Sequence, residues 1–359
     1  MINGHGGNIY KIANELKCKP FDIMDMSSNL NPLGPMPGLL EFIKNNLYVT
    51  TKLPEVDCHG PVKSFCNYYG IDSENVIAGN GTTQFIYTIP LALNIKRACI
   101  LGPTYSDYAD ACKMFNIPYE YVLANEKNSF IHNFNSLSNL IKDFDTIFIC
   151  NPNNPTGSSI SKKNLMELCQ SNPQKKFIID ESYLPFTTIE SMMDSKLPNV
   201  VILNSMSKIF SIPGLRIGFI IAQPKIIKKF QNYYQPWSVN SMAQAVISFI
   251  MDQQKKINDF IKKTIDYIEI EKDKLFDKLR HIDGIDIYSS ETPFFLIKLK
   301  DINAEEICQY LISKTMLIRN CSNFEGLSHN YIRVSLKSQQ VNNLFVENMT
   351  VFLSLLKRR

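Results

Sequence analysis

The chain has 359 residues, 45% of them hydrophobic and 20% charged, which is the balance of an ordinary globular protein. Its net charge of +4 is spread without a dense Lys/Arg block, so neither nucleic acid nor a membrane surface is expected as a partner. The sequence has no run of eighteen apolar residues, its start lacks the apolar core of a secretory leader, and its nine cysteines are scattered. We therefore expect a cytoplasmic protein without a metal site.

In chain order, the predicted elements divide the molecule into three parts. Residues 1–45 have the Gly- and Pro-containing pattern of an arm. From 46 to 240, short apolar runs alternate with helical patterns, which predicts an α/β domain with a mostly parallel sheet covered by helices on both faces. Residues 241–359 begin with a helical stretch to about 282 and predict a smaller α/β domain. The strand candidates are Ala98–Leu101, Tyr119–Leu123, Thr146–Cys150, Phe177–Ile179, Val200–Leu203, Ile217–Ala222, 294–299, 316–319 and 331–336.

Two residues near predicted strand ends could carry chemistry. Asp180 ends the run F-I-I-D, and ligand sites in open parallel sheets lie outside the carboxyl ends of strands. A carboxylate buried there needs a partner such as a protonated pyridine nitrogen, although a structural ion pair is the commoner role. Lys208 lies among small and apolar residues, and burial near positive charge would depress its pKa enough for it to form an imine with an aldehyde. The alternative for Lys208 is an exposed surface lysine.

The surrounding residues suit a phosphate. Ser205 and Ser207 bring hydroxyl groups, and Arg216 brings a planar fork of N–H donors. The stretch G-N-G-T-T-Q (79–84) precedes a helical pattern whose free amides would attract an anion. A lysine, an aspartate and a phosphate cradle together indicate pyridoxal 5′-phosphate (PLP), and therefore an enzyme acting on an amino compound.

Other residues complete this hypothesis. Tyr105 could lay its ring against the pyridine face, and Tyr183 and Asn154 could donate hydrogen bonds to the ring's phenolic oxygen. Arg333 interrupts an apolar strand candidate, and a buried arginine needs an anion, either a substrate carboxylate or an internal Asp or Glu. Arg319 raises the same question.

The motifs N-P-N-N-P-T-G (151–157), D-E-S-Y (180–183) and S-M-S-K…R (205–216), with the late arginine, resemble the fold-type I, class I/II aminotransferase family of PLP enzymes. The resemblance covers nearly the whole chain. Within the family, the pattern is most similar to the threonine-phosphate decarboxylases of cobamide biosynthesis, and the histidinol-phosphate aminotransferases share the central motifs. The narrower likeness depends on H-G-G-N (5–8), S-S-N-L-N-P-L-G-P (27–35), P-W-S-V-N (236–240) and residues 317–335.

The resemblance implies a role for each matching residue. Those expected to be catalytic are Lys208 as the Schiff-base lysine, Asp180, Tyr183 and Tyr105. Those expected to hold the cofactor are Gly81, Thr82, Tyr105, Asn154, Asp180, Tyr183, Ser205, Ser207, Lys208 and Arg216. Those expected to bind the substrate, with the first four in a closing loop, are His5, Gly6, Gly7, Asn8, Asn29, Asn154, Arg319 and Arg333.

The function implied is PLP-dependent decarboxylation of an O-phospho-L-amino acid, L-threonine O-3-phosphate or L-serine O-phosphate, for the cobamide nucleotide loop. The alternatives are histidinol-phosphate or related aminotransfer, and a catalytically silent PLP-binding regulator. Relatives are homodimers in which a tyrosine reaches the partner's cofactor phosphate. Leu53 stands at that position here and cannot donate a hydrogen bond, which should weaken cofactor retention.

Overall fold

The computed structural model describes residues 6–357, except for the side chain of Asn135. The strands are β1 Met24–Asp25, β2 Val76–Gly79, β3 Ala98–Gly102, β4 Tyr119–Leu123, β5 Thr146–Cys150, β6 Lys176–Asp180, β7 Val200–Ser205, β8 Gly218–Ala222, β9 Ile285–Ile287, β10 Phe294–Leu299, β11 Met316–Leu317, β12 Arg319–Asn320 and β13 Tyr331–Ser335. The α-helices are α1 Ile9–Leu16, α2 Leu39–Asn45, α3 His59–Tyr69, α4 Gly81–Ala92, α5 Asp107–Met114, α6 Phe134–Leu140, α7 Lys162–Ser171, α8 Met206–Ile209, α9 Pro224–Gln231, α10 Ser241–Met251, α11 Gln254–Leu279, α12 Ala304–Ile312 and α13 Gln339–Leu356.

The central sheet has seven strands in the order β2-β8-β7-β6-β5-β3-β4. All neighbouring pairs are parallel except those of β8, which runs antiparallel to both β2 and β7. Strands β2, β3, β5, β7 and β8 are buried along their whole length, because separate apolar clusters pack on the two faces of the sheet. The predicted α/β class with a mostly parallel sheet is confirmed.

A second, antiparallel sheet has four strands in the order β12-β13-β10-β9. Its register places Arg319 of β12 directly opposite Arg333 of β13. Directly opposite residues on neighbouring strands point to the same face of a sheet. The second sheet therefore brings two of the predicted anion-binding residues together.

Part of the predicted arm pairs with the C-terminal part of the chain. Strand β1 pairs in parallel with β11, with Met24 opposite Met316 and Asp25 opposite Leu317. Helix α1 begins after Asn8, whose side chain accepts a hydrogen bond from the backbone N–H of Lys11 at 3.2 Å and so caps the helix. The predicted division into an arm and two domains stays a prediction.

The cysteines are packing residues, as their scattered positions indicated. All nine are free thiols, and all but Cys18 are buried. Within residues 6–357, no helix combines the length and the apolar character needed to cross a membrane.

Candidate active site

The carboxyl ends of several parallel strands meet at one edge of the central sheet. Strand β6 ends at Asp180, β7 leads into Lys208 on α8, and β5 leads into the turn that holds Asn154. Strand β2 runs parallel to β7, because both are antiparallel to β8, and it leads into Gly81 at the start of α4. One cavity at this edge is lined by Gly81, Thr82, Thr83, Tyr105, Tyr108, Cys150, Asn154, Asp180, Ser182, Tyr183, Ser205, Lys208 and Arg216.

Lys208 has the electrostatic surroundings expected of a nucleophilic amine. It is half-buried, and desolvation lowers the pKa of its ammonium group. The positive charge of Arg216 lowers the pKa further, and that of Arg333 adds to the effect, whereas Asp180 opposes it. A lysine of lowered pKa has a larger fraction of neutral amine, which is the form that attacks a carbonyl carbon. The lowered pKa of Lys208 that the sequence predicts is therefore found in the structure.

Asp180 is 5% exposed and has two hydrogen-bond donors within the protein. Its Oδ1 accepts from the backbone N–H of Ser182 at 2.9 Å, and its Oδ2 accepts from the hydroxyl of Tyr108 at 2.8 Å. The buried Tyr108 ring is held by Phe148, with ring centroids 5.4 Å apart and nearly parallel planes. The carboxylate therefore faces the cavity in a fixed orientation.

Sequence reasoning missed Tyr108. It lies three residues after Tyr105 in G-P-T-Y-S-D-Y, and the two rings meet edge to face with centroids 5.8 Å apart. Tyr105 precedes α5, which begins at Asp107, so the spacing of the two tyrosines follows no regular element and gave no signal for this contact.

The predicted phosphate cradle assembles around Gly81 and Arg216. Gly81 has φ +73°, and a Cβ placed on it would lie 2.6 Å from Arg216 Nη2. A Cβ on Gly218 would lie 2.7 Å from the backbone nitrogen of Thr82. Only glycines permit these close approaches, which leave the arginine fork beside the first turn of α4. Ser205 lines the same cavity.

Ser207 does not line this cavity. Its side chain is buried, and the hydroxyl points to the carbonyl oxygen of Ile217 at 3.5 Å. The structure thus gives Ser207 a contact inside the protein, and its predicted role as a phosphate ligand has no geometric support.

Three further predicted residues line the cavity at Lys208, where the cofactor ring is expected to bind. Tyr105 donates to Asp107 Oδ2 at 2.7 Å, and burial raises the pKa of its phenol well above the usual range. Burial also raises the pKa of Tyr183 to about 12, so this hydroxyl keeps its proton at neutral pH. Asn154 accepts a hydrogen bond from Arg333 Nη1 with its amide oxygen, so the amide nitrogen is the atom that could donate to a ring oxygen.

Asn29 lies beside Tyr183. Its amide nitrogen donates to the Tyr183 hydroxyl at 3.1 Å, and its amide oxygen accepts from Ser335 Oγ at 2.6 Å. The predicted role of Asn29 in substrate binding stays a prediction. Its direct contact is with a residue of the cavity at Lys208.

Arg333 is a buried cation whose hydrogen-bond acceptors are both neutral. Its guanidinium is 5% exposed and donates to Asn154 Oδ1 and, at 2.5 Å, to the carbonyl oxygen of Ser27. Its buried Nε has no hydrogen-bond partner, and in residues 6–357 no carboxylate lies within 4 Å of the group. The internal Asp or Glu considered from the sequence is therefore absent from the part of the chain described. A buried charge without a counter-ion is a place for an anion from outside.

A second cavity, of about 300 Å³, is lined in part by Ser27, whose carbonyl oxygen accepts the hydrogen bond from Arg333. It is lined by Gly6, Gly7, Asn8, Lys11, Ile12, Glu15, Ser27, Glu305, Cys308, Gln309, Ile312, Leu317, Ile318, Arg319 and Asn320. Desolvation lowers the pKa of Arg319 to about 10, and Arg333 contributes to the shift. The structure therefore brings three of the predicted loop residues to Arg319, whereas His5 lies outside the described residues.

Residues 22–348 match the family model described as aminotransferase class I and II. The chain belongs to this family. Its members use PLP, and the cavity at Lys208 fits that group, because it combines a buried carboxylate, an amine of lowered pKa and a glycine cradle beside an arginine. The chain is therefore an enzyme of the PLP-dependent class I/II aminotransferase family.

Individual members of the family are similar over most of the chain. The adenosylcobalamin biosynthesis bifunctional protein CobDQ of Leptospira interrogans is 33% identical over 350 residues, which are 96% of this chain and 40% of that protein, so this chain spans less than half of its length. The L-threonine-O-3-phosphate decarboxylase structure from Porphyromonas gingivalis is 28% identical, with a TM-score of 0.84 over 92% of this chain and 100% of that chain.

The histidinol-phosphate aminotransferase structure from Clostridium acetobutylicum is 26% identical, also with a TM-score of 0.84, over 92% of this chain and 99% of that chain. Backbone likeness is thus the same for a decarboxylase and an aminotransferase. The choice between the two reactions depends on the side chains of the site.

Proposed function

We propose that this enzyme decarboxylates an O-phospho-L-amino acid, with L-threonine O-3-phosphate preferred over L-serine O-phosphate on family grounds. The observation that carries the proposal is the pair formed by Arg319 and Arg333, which are directly opposite each other on β12 and β13. Like charges at such positions destabilise a sheet unless anions neutralise them. A substrate with a phosphate and an α-carboxylate supplies one anion for each arginine.

The proposed roles follow from the chemistry of each side chain. Bound PLP supplies an electron-poor ring, which accepts the electron pair released when a bond to the substrate's α-carbon breaks. Asp180 pairs with the proton on the pyridine nitrogen, and Tyr105 packs on the ring. Gly81, Thr82, Ser205 and Arg216 bind the cofactor phosphate, while Asn154 and Tyr183 donate to the ring oxygen. After the carboxylate has left, the protonated ammonium form of Lys208, or the Tyr183 hydroxyl, would donate a proton to the α-carbon.

Orientation of the substrate selects the reaction. Arg333 would hold the α-carboxylate and Arg319 the phosphate. The way these two arginines orient the substrate at the cofactor would decide whether the carboxylate or the α-hydrogen is lost, and therefore whether decarboxylation or amino transfer follows. Binding energy from the remote phosphate at Arg319 fixes this choice.

The wider biological role is proposed from the relatives. The Leptospira protein is named for adenosylcobalamin biosynthesis, and the Porphyromonas structure is named for threonine-phosphate decarboxylation. We extend both names to this chain and place its amino-alcohol phosphate product in the cobamide nucleotide loop. The enzyme would act in the cytoplasm.

A homodimer is part of the same proposal. Leu53 is 80% exposed and Trp237 is 53% exposed, and the backbone N–H of Trp237 donates to the carbonyl of Val56, itself 47% exposed. Exposed apolar side chains of this kind suit a subunit interface. Because Leu53 has no donor, a partner subunit would add no hydrogen bond to the cofactor phosphate from this position.

The test is incubation of the PLP-loaded enzyme with O-phospho-L-threonine or O-phospho-L-serine and no keto acid. We expect carbon dioxide and the amino-alcohol phosphate in equal amounts over many turnovers. Parallel samples contain histidinol phosphate with 2-oxoglutarate. Turnover that strictly requires the keto acid, with glutamate as a product, would identify an aminotransferase and contradict the proposal.

A further inference from the structure

Ser27 joins three separate parts of the chain between the two arginine sites. Its hydroxyl donates to Asp25 Oδ1 at 2.6 Å and accepts from the backbone N–H of Gly7 at 2.7 Å. Its carbonyl oxygen accepts from Arg333 Nη2 at 2.5 Å. The residue is only 1% exposed. One buried residue therefore contacts the N-terminal segment (residues 6–8), the turn at Asp25 and the guanidinium proposed to hold the substrate carboxylate.

The N-terminal segment lies close to the carbonyl that Arg333 uses. A Cβ placed on Gly6 would lie 2.7 Å from the oxygen of Ser27, which is closer than any side chain can come without moving that carbonyl. Gly7 has φ +81°, a conformation that favours glycine. The two glycines are therefore what allows the segment to lie against Ser27, and any side chain at Gly6 would push on the Arg333 acceptor.

The orientation of Arg333 is sensitive to such a push. Its guanidinium lies over the Phe294 ring, 5.4 Å from the centroid, and its hydrogen bonds are to the side-chain oxygen of Asn154 and the carbonyl of Ser27. The guanidinium is a rigid planar fork, so displacement of one acceptor turns the whole group. The position of the Ser27 carbonyl therefore sets the direction in which the remaining N–H groups of Arg333 face the cavity.

We propose that Ser27 is a positioning residue that links docking of the N-terminal segment to the orientation of Arg333. The inference rests on the proposed function, in which Arg333 holds the α-carboxylate. With the segment docked, the Gly7 amide holds the Ser27 hydroxyl, and the carbonyl stays in line with Nη2. A phosphate bound beside Arg319, in the cavity that the segment lines, thereby improves the alignment of the carboxylate at the other site.

Ser27→Ala removes the hydroxyl that contacts Gly7. Ser28→Ala is the matched control, because the Ser28 hydroxyl donates to the other oxygen of the same Asp25 carboxylate. Without substrate, we expect amide hydrogen exchange in residues 6–8 to be about 10-fold faster in Ser27→Ala and close to wild type in Ser28→Ala. Ser27→Thr keeps a hydroxyl and should restore the protection. This measurement holds whichever reaction the enzyme performs.

The second measurement compares two ligands of the PLP-loaded enzyme. O-phospho-L-threonine carries phosphate and carboxylate, whereas its decarboxylated amine carries phosphate alone. We expect Ser27→Ala to weaken binding of the first by about 10-fold and of the second by less than about 3-fold, because only the first uses Arg333. Should the enzyme prove to be an aminotransferase, glutamate replaces phosphothreonine, because it also carries an α-carboxylate.

Several outcomes would overturn the proposal. Equal exchange in Ser27→Ala and Ser28→Ala would show that the hydroxyl does not hold the segment. Equal weakening of the two ligands would show a general structural role. Faster exchange with unchanged carboxylate binding would show that docking and Arg333 are not coupled.

Discussion

Arg333 is the residue on which substrate recognition depends most. Arg333→Lys keeps the positive charge and removes the fork that contacts both Asn154 and Ser27. We expect kcat/KM for the phospho-amino acid to fall about 100-fold, because a point charge cannot reproduce two fixed hydrogen bonds and also bind a carboxylate. Steady-state kinetics check this. The control is Arg280→Lys, an exposed arginine paired with Asp277, and equal kinetics in the two variants would contradict the assignment.

Tyr108 is the second residue whose role can be isolated. Tyr108→Phe preserves the stacking on Phe148 and removes the hydrogen bond to Asp180. A hydrogen bond to a charged group contributes about 1.5–3 kcal/mol, so we expect the Kd of PLP to rise about 10-fold or more. Titration of the visible absorbance measures it. Tyr68→Phe removes a 2.7 Å tyrosine bond to Asn258 elsewhere and should leave the Kd unchanged; the same Kd in both variants would refute the role.

The chemical roles of single residues could be predicted from the sequence more readily than the contacts that those residues make. Lys208, Asp180 and Arg216 could be assigned because a reactive amine, a buried carboxylate and an arginine each need a particular environment. The contacts of Asn29 with Tyr183 and of Ser207 with Ile217 could not be predicted, because they depend on side-chain directions fixed by packing across distant segments. The contact of Tyr108 with Asp180 could not be predicted either, because Tyr105 lies before the start of α5 and the spacing of the two tyrosines follows no regular element.

The start of helix α4 is the element that forms the cofactor phosphate site. Gly81→Ala would place a Cβ 2.6 Å from Arg216 Nη2 at a residue with φ +73°. We expect the variant to lose PLP on dialysis about 10-fold faster than wild type, because the arginine must move away from the helix start. The control is Gly214→Ala, where an added Cβ meets nothing within 4 Å. If Gly81→Ala retained PLP as well as the wild type does, the proposed binding of the cofactor phosphate at the start of α4 would be contradicted.

At the scale of elements, the predicted strands other than 316–319 begin and end within two residues of those in the structure, because Pro, Gly, Asn or Asp bound their apolar runs. The predicted strand 316–319 is divided in the structure, since β11 pairs with β1 while β12 pairs with β13. Strands β1, β2 and β9 were missed, and so was the antiparallel direction of β8. A short strand's direction is set by its neighbours and leaves no trace in its own composition.

The pH dependence of the whole molecule's stability depends in part on Glu181. Burial raises the pKa of this carboxyl from 4.5 to about 7, despite hydrogen bonds from the backbone N–H of Met192 and the hydroxyl of Ser191. Between pH 4.5 and about 7 the folded state holds a proton that the unfolded state has lost. The resulting stabilisation is complete below pH 4.5 and disappears as the pH rises through 7.

Glu181→Gln keeps the shape and removes the titration. We expect the variant to be more stable than wild type by about 2–3 kcal/mol at pH 8 and about equal near pH 4.5. Urea unfolding at several pH values measures the difference. The control is Glu190→Gln, at a side chain that is 77% exposed, which should leave the free energy of unfolding unchanged both at pH 8 and near pH 4.5. If the free energy of unfolding of Glu181→Gln fell with pH as steeply as that of the wild type, another group would be responsible for the pH dependence.

The central claim is that PLP is attached to Lys208. The most direct measurement is borohydride reduction of the PLP-loaded enzyme, followed by peptide mapping by mass spectrometry. Among the other lysines, burial also lowers the pKa of Lys176 and Lys337, so these are the competing amines. We expect one cofactor-derived mass addition per chain, on the peptide that contains Lys208. Absence of the adduct, or its presence on Lys176 or Lys337 alone, would contradict it.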